Sequence, residues 1–350
     1  MPSDIVLGWD LGGAHLKAAA VARSGNVLWV RQLPCPLWLG LEQLDRAVAS
    51  VLEEQPGARW HAVTMTGEMT DFFRNRAQGV SGILSRFGRQ VPASRTLVYA
   101  GMSGFLTPQR AAKTPDTVAS ANWAASAQLV ASRVPDALFV DIGSTTTDFV
   151  PIRNGKLAAR GHSDYERLTC EELVYTGIVR TPVMALVDRI PFEGNWIAPM
   201  AEYFATTADV YRLTGELPEG ADQLPAADNG GKTMRDSARR LARMIGRDLE
   251  SAPLSAWRQC ARHLAEMQLW KIRQACDRVL SRADVAERAL VVGAGVGRFL
   301  ARKLADQLVR RYRDFDSLVE AAPDVSSWAS SCAPAVAVAV LAQSRSRKRR

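Results

Sequence analysis

Metal-binding and disulfide-forming side chains are scarce in this chain of 350 residues. Its five cysteines (Cys35, Cys170, Cys260, Cys276, Cys332) form no CxxC pair, and its four histidines show no ligand spacing. This argues against a zinc site and a disulfide framework, and fits a reducing cytosol. Long apolar runs are missing too. The longest, Ala333 to Ala342, falls well short of the roughly 20 residues that cross a bilayer, and the start MPSDIVLGWD lacks the basic region of a signal peptide. A soluble, cytoplasmic protein without a membrane partner is expected. Nor is positive charge spread over the chain. The net charge is +8, but the last seven residues (344–350) hold five of the positive charges and leave +3 for the rest. The basic balance therefore belongs to a tail, expected to be disordered, and does not mark a specific nucleic-acid surface.

What is present is a large apolar fraction, 47%, enough for a sizeable core and, at this length, two domains. The most informative stretch is LFVDIGSTTTDFVP, Leu138 to Pro151. An apolar run enters Asp141, a turn follows at Gly143, and a second apolar run leaves Asp148, which reads as strand, turn, strand. Ser144, Thr145, Thr146 and Thr147 add hydroxyls to the turn amides, and the aspartates suit a hydrated divalent cation. The N-terminus carries a related copy: Ile5 to Leu7 leads into Asp10, Gly12, Gly13, His15 and Lys17. Two such hairpins can face each other across a cleft and grip an oligophosphate. A third element is a short strand, Ala289 to Val292, a glycine turn at Gly293, Gly295 and Gly297, and a helix over Arg298 to Val309.

In this order, the three motifs resemble the actin, sugar kinase and heat-shock ATPase superfamily. That resemblance implies an α/β fold of the duplicated, ribonuclease H-like actin type, two lobes about a cleft, with the glycine turn on the nucleoside side. The expected division is 1–133 for the first lobe, 134–343 for the second, a helical insertion at about 195–282, and the tail from 344. Elsewhere, Glu68 and Asp71 sit just past a strand ending at Thr66, where α/β folds place their chemistry, unless Thr66 or Glu68 caps a helix. Asn122 and Trp123 open a small-residue helix and face either the cleft or the core. A helix is expected from Thr169 to Tyr175. In EYFATTADVYRLTGEL, Glu202, Thr206 and Asp209 fall at i, i+4 and i+7 and read as one polar helix face, either a wet surface or part of the site.

Taken together, GWDLGGAHLK, TGEM, SANW, VDIGSTTTDF, EYFATTADVYRLTGEL and VVGAGVG resemble the hydantoinase A/oxoprolinase-like proteins of tetrahydromethanopterin-linked one-carbon metabolism, over nearly the whole chain. The match is closest to the members that build methanofuran and methylofuran. The resemblance implies an alkyl transferase: an aminomethylfuran-methyl diphosphate loses diphosphate, and the phenol oxygen of a glutamyl-tyramine or tyrosine-type acceptor takes its place. A furan stabilises positive charge on its exocyclic carbon, so catalysis should act on the departing diphosphate. Asp10 and Asp141 then hold Mg2+ through water, while Gly12, Gly13, His15, Lys17, Gly143 and Ser144 to Thr147 cradle the diphosphate. Glu68, Asp71, Asp148 and Glu202 are the candidate general bases, and ATP is not required. His15 stands where kinases of this superfamily often carry Thr or Ser. Two other readings remain open: an ATP-dependent hydrolase or small-molecule kinase, and a nucleotide-switched binding module. The oligomeric state, homo-oligomer or monomer, is not legible.

Overall fold

The computed structural model describes residues 5–348 apart from residue 283. The apolar run Val6–Leu11 forms β1, buried at every residue, and the chain returns at once as β2 (His15–Val21) and β3 (Val27–Pro34). A strand buried throughout needs a layer on each face. The helix Glu42–Glu54 supplies part of one, burying Leu44, Val48 and Val51, and leads to β4 (Trp60–Met65), which runs parallel to β1. The helix Arg76–Phe87 then delivers β5 (Thr96–Tyr99), parallel to β4, and β6 (Phe105–Leu106) closes the edge. The order is β3-β2-β1-β4-β5-β6.

The second sheet repeats the plan. β7 (Ala137–Ile142) and β8 (Thr147–Arg153) form its hairpin, with β9 (Lys156–Leu157) and β10 (Leu173–Val174) on β8. A separate hairpin, β11 (Ile190–Phe192) and β12 (Asn195–Ile197), precedes the inserted helices Thr207–Thr214, Met234–Arg243 and Leu254–Leu280. The chain then regains the sheet as β13 (Leu290–Ala294), parallel to β7, and β14 (Tyr312–Asp314), parallel to β13. The path β8-β7-β13-β14 thus matches β2-β1-β4-β5: an antiparallel hairpin continued by two parallel strands. The expected duplicated α/β architecture and the inserted helices are present.

The expected boundaries shift in two places. The last helix, Ala333–Lys348, covers the free face of the first sheet, so the first lobe is completed by residues from the end of the chain. Its Ala and Val run allows the contact. At Gly8, in the middle of β1, any Cβ would strike the carbonyl oxygen of Ala335. Helix and strand backbones meet there because neither position carries bulk. The same helix continues through Ser344 and Arg345, whose Nη1 donates to the carbonyl of Phe105 at 3.0 Å. The expected disordered tail is therefore helical to Lys348, and residues 349–350 lie outside the described residues.

Three local readings also change. The helix expected over Thr169 to Tyr175 ends where it was to begin: it spans Asp164–Thr169, opened by a Ser163/Glu166 capping box, and Glu171 turns left-handed (φ +57°) into β10. The helix after β4 is capped by Asn75, leaving Thr66 and Glu68 free of that duty. The polar-face helix starts at Thr207, so Glu202 lies on an exposed bend before it.

Filling the β1 contact should be costly. Gly8→Ala is expected to lower the urea midpoint by an amount equivalent to about 1–3 kcal/mol or more, the range of overpacked cores. An unchanged midpoint would mean that the last helix does not rest on β1.

Candidate active site

The two hairpins are superimposable in their bonding. In the first, Gly12 N donates to His15 O at 3.1 Å and Asp10 lies opposite Lys17 in the strand register. In the second, Gly143 N donates to Thr146 O at 2.8 Å and Asp141 lies opposite Asp148. Each turn therefore presents an aspartate at the end of one strand and a charged residue on its return, a lysine in one copy and a carboxylate in the other. A Cβ at Gly12 would meet His15 O at 2.6 Å and one at Gly13 would meet Thr70 Cγ2 at 2.7 Å, so both glycines are demanded by close packing. Gly143 meets nothing closer than 3.6 Å.

Charge at the paired turns is unbalanced. Asp10 is buried, with Oδ2 3.6 Å from Lys17 Nζ, and its Oδ1 has no hydrogen-bond partner among the described residues. Burial raises the Asp10 pKa, against the pull of Lys17. Burial likewise pushes Asp141 up to about 7, opposed by Lys17 and reinforced by Asp148 and Asp10. Asp148 goes up to about 6, again chiefly by burial, although Arg167 Nη2 lies 3.1 Å from its Oδ1. His15 is pulled down to about 3 by burial and by Lys17 and Arg180, so it is a neutral wall of the first loop and brings no charge to an anion.

The glycine turn buttresses this group. Gly295 (φ +82°) packs so that a Cβ would strike Asp141 Oδ1 and Ile142 O, and Gly297 N donates to Ile142 O at 2.7 Å. Gly293 lies under the Tyr312 hydroxyl. The following helix spans Arg298–Gln307.

The second loop is clamped from behind by residues 176–181. Ile178 N donates to Gly143 O at 3.1 Å, Arg180 N to Ser144 O at 2.9 Å, and Thr147 Oγ1 to Thr176 O at 2.8 Å. Thr147 is fully buried, so its hydroxyl serves the clamp and not a phosphate, contrary to expectation. Ser144, Thr145 and Thr146 stay half-buried at the turn. The clamp rests in turn on the insertion: Thr207 Oγ1 and Gln268 Nε2 both donate to Gly177 O at 2.8 Å, and Tyr211 donates to Gln268 Oε1 at 2.6 Å. Asp209 is buried between Arg240 (2.7 Å), Arg212 (3.4 Å) and Ser237 (2.8 Å), and accepts from Thr206 N at 3.1 Å as a capping box. Thr206, Thr207, Asp209 and Tyr211 of this stretch are thus an internal brace.

Among the expected bases, Asp71 and Glu202 are exposed and, among the described residues, make no hydrogen bond or ion pair with either loop, while Glu68 is buried and bonded to Ser120 Oγ at 2.9 Å. Ser120 also reaches Asp164 Oδ2 at 3.0 Å, and Arg76 Nη2 reaches the same oxygen at 2.7 Å, from the other lobe. Trp123 lies in the core with the Arg167 guanidinium 3.8 Å from its ring centre. Arg180 was not anticipated. Its guanidinium stands 5.1 Å over Trp38, beside Leu37, whose N donates to Gly13 O at 2.9 Å. Arg180 therefore borders both loops, and among the described residues it has no carboxylate partner. Its one sequence signal was a lone cation within TGIVRTPV.

No group of three or more ligating side chains assembles among the described residues. Asp10, with an orphaned oxygen, and the neighbouring Asp141 nevertheless fit a hydrated Mg2+, which takes few protein carboxylates and keeps several waters.

A family model described as hydantoinase/oxoprolinase matches residues 59–343. The (4-{4-[2-(gamma-L-glutamylamino)ethyl]phenoxymethyl}furan-2-yl)methanamine synthase of Methanocaldococcus jannaschii is 29% identical over 304 residues, 87% of this chain and 89% of its own. The synthase of the same name from Methanococcus vannielii is 37% identical over 112 residues, 32% of this chain and 50% of its own. A nucleotide-free acetone carboxylase structure matches with a TM-score of 0.56 at 11% identity, over 96% of this chain and 70% of that one, and supports the actin-like fold. By the family model and by its duplicated fold, the chain belongs to the hydantoinase/oxoprolinase family.

Proposed function

We propose that this protein is the alkyl transferase that joins an aminomethylfuran-methyl diphosphate to the phenol oxygen of a tyramine- or tyrosine-type acceptor in the making of a methanofuran-type cofactor. The observation that carries the reading is the pair of matched turns with an uncompensated buried carboxylate oxygen at Asp10, together with the relationship to the furan-methanamine synthase. A diphosphate and a divalent cation supply what the turns lack: negative charge for Lys17 and Arg180, and positive charge for Asp10 and Asp141. Mg2+, when bound, neutralises charge on the leaving diphosphate. The chain's own groups do the rest. The amides and hydroxyls of Ser144 to Thr146 and the amide of Gly13 bind phosphate oxygens, the Gly12 amide being spent on His15 O; Lys17 and Arg180 stabilise charge as the carbon–oxygen bond opens. ATP is not a reactant in this scheme, and the glycine turn serves to hold Asp141.

Lys17→Ala and Arg180→Ala should each lower turnover on the order of a hundredfold, the usual cost of one electrostatic stabiliser, without loss of fold. Steady-state release of diphosphate from the furan substrate measures it, and near-wild-type rates would remove that residue from the mechanism.

Calorimetric titration decides between diphosphate and nucleotide. Mg2+ with diphosphate should bind and compete with the furan substrate, and ATP should bind weakly. Micromolar ATP affinity with ADP formed in step with product would overturn the alkyl-transfer reading and leave an ATP-dependent hydrolase or kinase.

Stability should depend on pH in a definite sense. Asp141 holds its proton more tightly folded (about 7) than unfolded (3.8), so its contribution is greatest below about pH 4 and is lost as pH rises through about 7. Asp141→Asn should therefore raise the Tm of the ligand-free protein at pH 8 and give no gain at pH 4, while abolishing the stabilisation by Mg2+ and diphosphate at pH 8. A Tm gain equal at both pH values would show that Asp141 is not strained in the folded state.

A further inference from the structure

Ser120 has one hydroxyl proton and two carboxyl groups within reach, Glu68 Oε1 at 2.9 Å and Asp164 Oδ2 at 3.0 Å. A hydroxyl donates only once. If both contacts are hydrogen bonds, one carboxyl must be protonated and donate to Ser120 Oγ. Glu68 is that one. It is 1% exposed, forms no ion pair among the described residues, and its Oε2 has no partner. Burial also drives its pKa upward. Asp164, by contrast, is paired with Arg76 across the lobes at 2.7 Å. Ser120 itself sits at φ +50°, a left-handed conformation that costs a serine energy and persists where surroundings impose it.

This arrangement leaves one oxygen unspent. Asp164 Oδ2 takes the bonds from Ser120 and Arg76, Oδ1 takes none among the described residues, and the side chain is 18% exposed. Two large, mostly exposed side chains lie close to it: Met69, whose Sδ accepts from the same Arg76 Nη2 at 2.9 Å, and Tyr165, the next residue in the chain. A partly apolar rim around an ionised carboxylate suits an aromatic ring that carries an acidic hydroxyl. Glu68 follows directly on Gly67, whose N donates to Leu11 O at 3.0 Å, so the carboxyl bonded to Ser120 adjoins the first turn.

We propose that Asp164 is the general base for the phenolic acceptor, and that Glu68 and Ser120 are positioning residues forming a one-proton relay that keeps Asp164 ionised and aimed. The assignment rests on the alkyl-transfer reading above. In the step, the bond from the furan methylene carbon to diphosphate breaks with its electron pair on the diphosphate oxygen. A lone pair of the phenol oxygen forms the ether bond, and the phenolic proton passes to Asp164 Oδ1, from which it leaves to solvent.

The test uses the full chain, the furan diphosphate and a series of phenols made more acidic by ring fluorination. Asp164→Asn should lower turnover about a hundredfold or more with an ordinary phenol, the usual reach of a general base, and by much less with the acidic phenols, which need little help. Ser120→Gly, suited to φ +50°, should show a smaller loss with the same trend. Equal losses along the series, or a near-wild-type Asp164→Asn, would overturn the base assignment. Infrared spectra of the ligand-free protein at neutral pH test the relay without turnover. A protonated-carboxyl band that disappears in Glu68→Gln supports it, and identical spectra overturn it. If the wild type forms no ether with any phenol, the base role falls with the alkyl-transfer reading, while a band specific to Glu68 would still establish the shared proton.

Discussion

The constraint on which the rest of the structure depends is the charge imbalance at the two facing turns. Asp141 and Asp148 are drawn together by strand pairing, Asp10 comes to them from the other sheet, and the cations beside them are Lys17 and Arg167. At low dielectric such a group does not persist fully ionised without a counter-charge; carboxyls take up protons instead, which is the direction in which all three are displaced. The same strain makes the site receptive. A ligand that arrives with its own cation and its own anionic oxygens would relieve the imbalance on both sides, which is the physical ground for the metal–diphosphate unit proposed above.

The rest of the second lobe can be read as support for one turn. A buried ion cluster around Asp209 fixes the inserted helices, those helices present Thr207 and Gln268 to Gly177, and residues 176–181 hold the backbone of Gly143 and Ser144. Removing one partner from a buried ionic cluster typically costs several kcal/mol, because it strands the remaining charge. Distant polar residues thus bear on the second turn through a chain of hydrogen bonds and ion pairs, and polar helix positions can be entirely internal.

The fold was largely legible because its evidence is local. Each turn declares itself within eight residues, and the repeat of Asp, aliphatic, Gly at two places exposes the duplication. The glycine turn was legible as a motif, and its contact with Asp141 gives the reason for Gly295. The site was less so, because its remaining parts are joined only in space. Asp164 meets Ser120 across 44 residues and Arg76 across 88, and Ser120 acts through a left-handed backbone that no pattern announces. Glu202 misled for the opposite reason: its spacing with Thr206 and Asp209 is helical, yet Thr206 is an extended N-cap. The Thr-x-x-Asp pattern was the better signal for where the helix starts. The terminal basic run misled as well, since composition speaks for solvent while the helix before it carries Arg345 to Phe105.

The two lobes are not merely adjacent supports. The first contributes Asp10, Lys17, Glu68, Arg76 and Ser120, the second Asp141, Asp148, Asp164 and Arg180, and each role proposed above draws on both. The Arg76–Asp164 pair and the stacking of Arg180 on Trp38 are two of the side-chain contacts that cross between the lobes, alongside the Ser120–Asp164 hydrogen bond and Arg167 on Trp123. Both involve a group with a use at the site, one a carboxylate beside the proposed proton path and the other a cation suited to phosphate. Asp164 is paired with Arg76 and Arg180 lies on Trp38 within the chain alone, so the charged groups of both lobes are brought together by contacts that the fold itself makes.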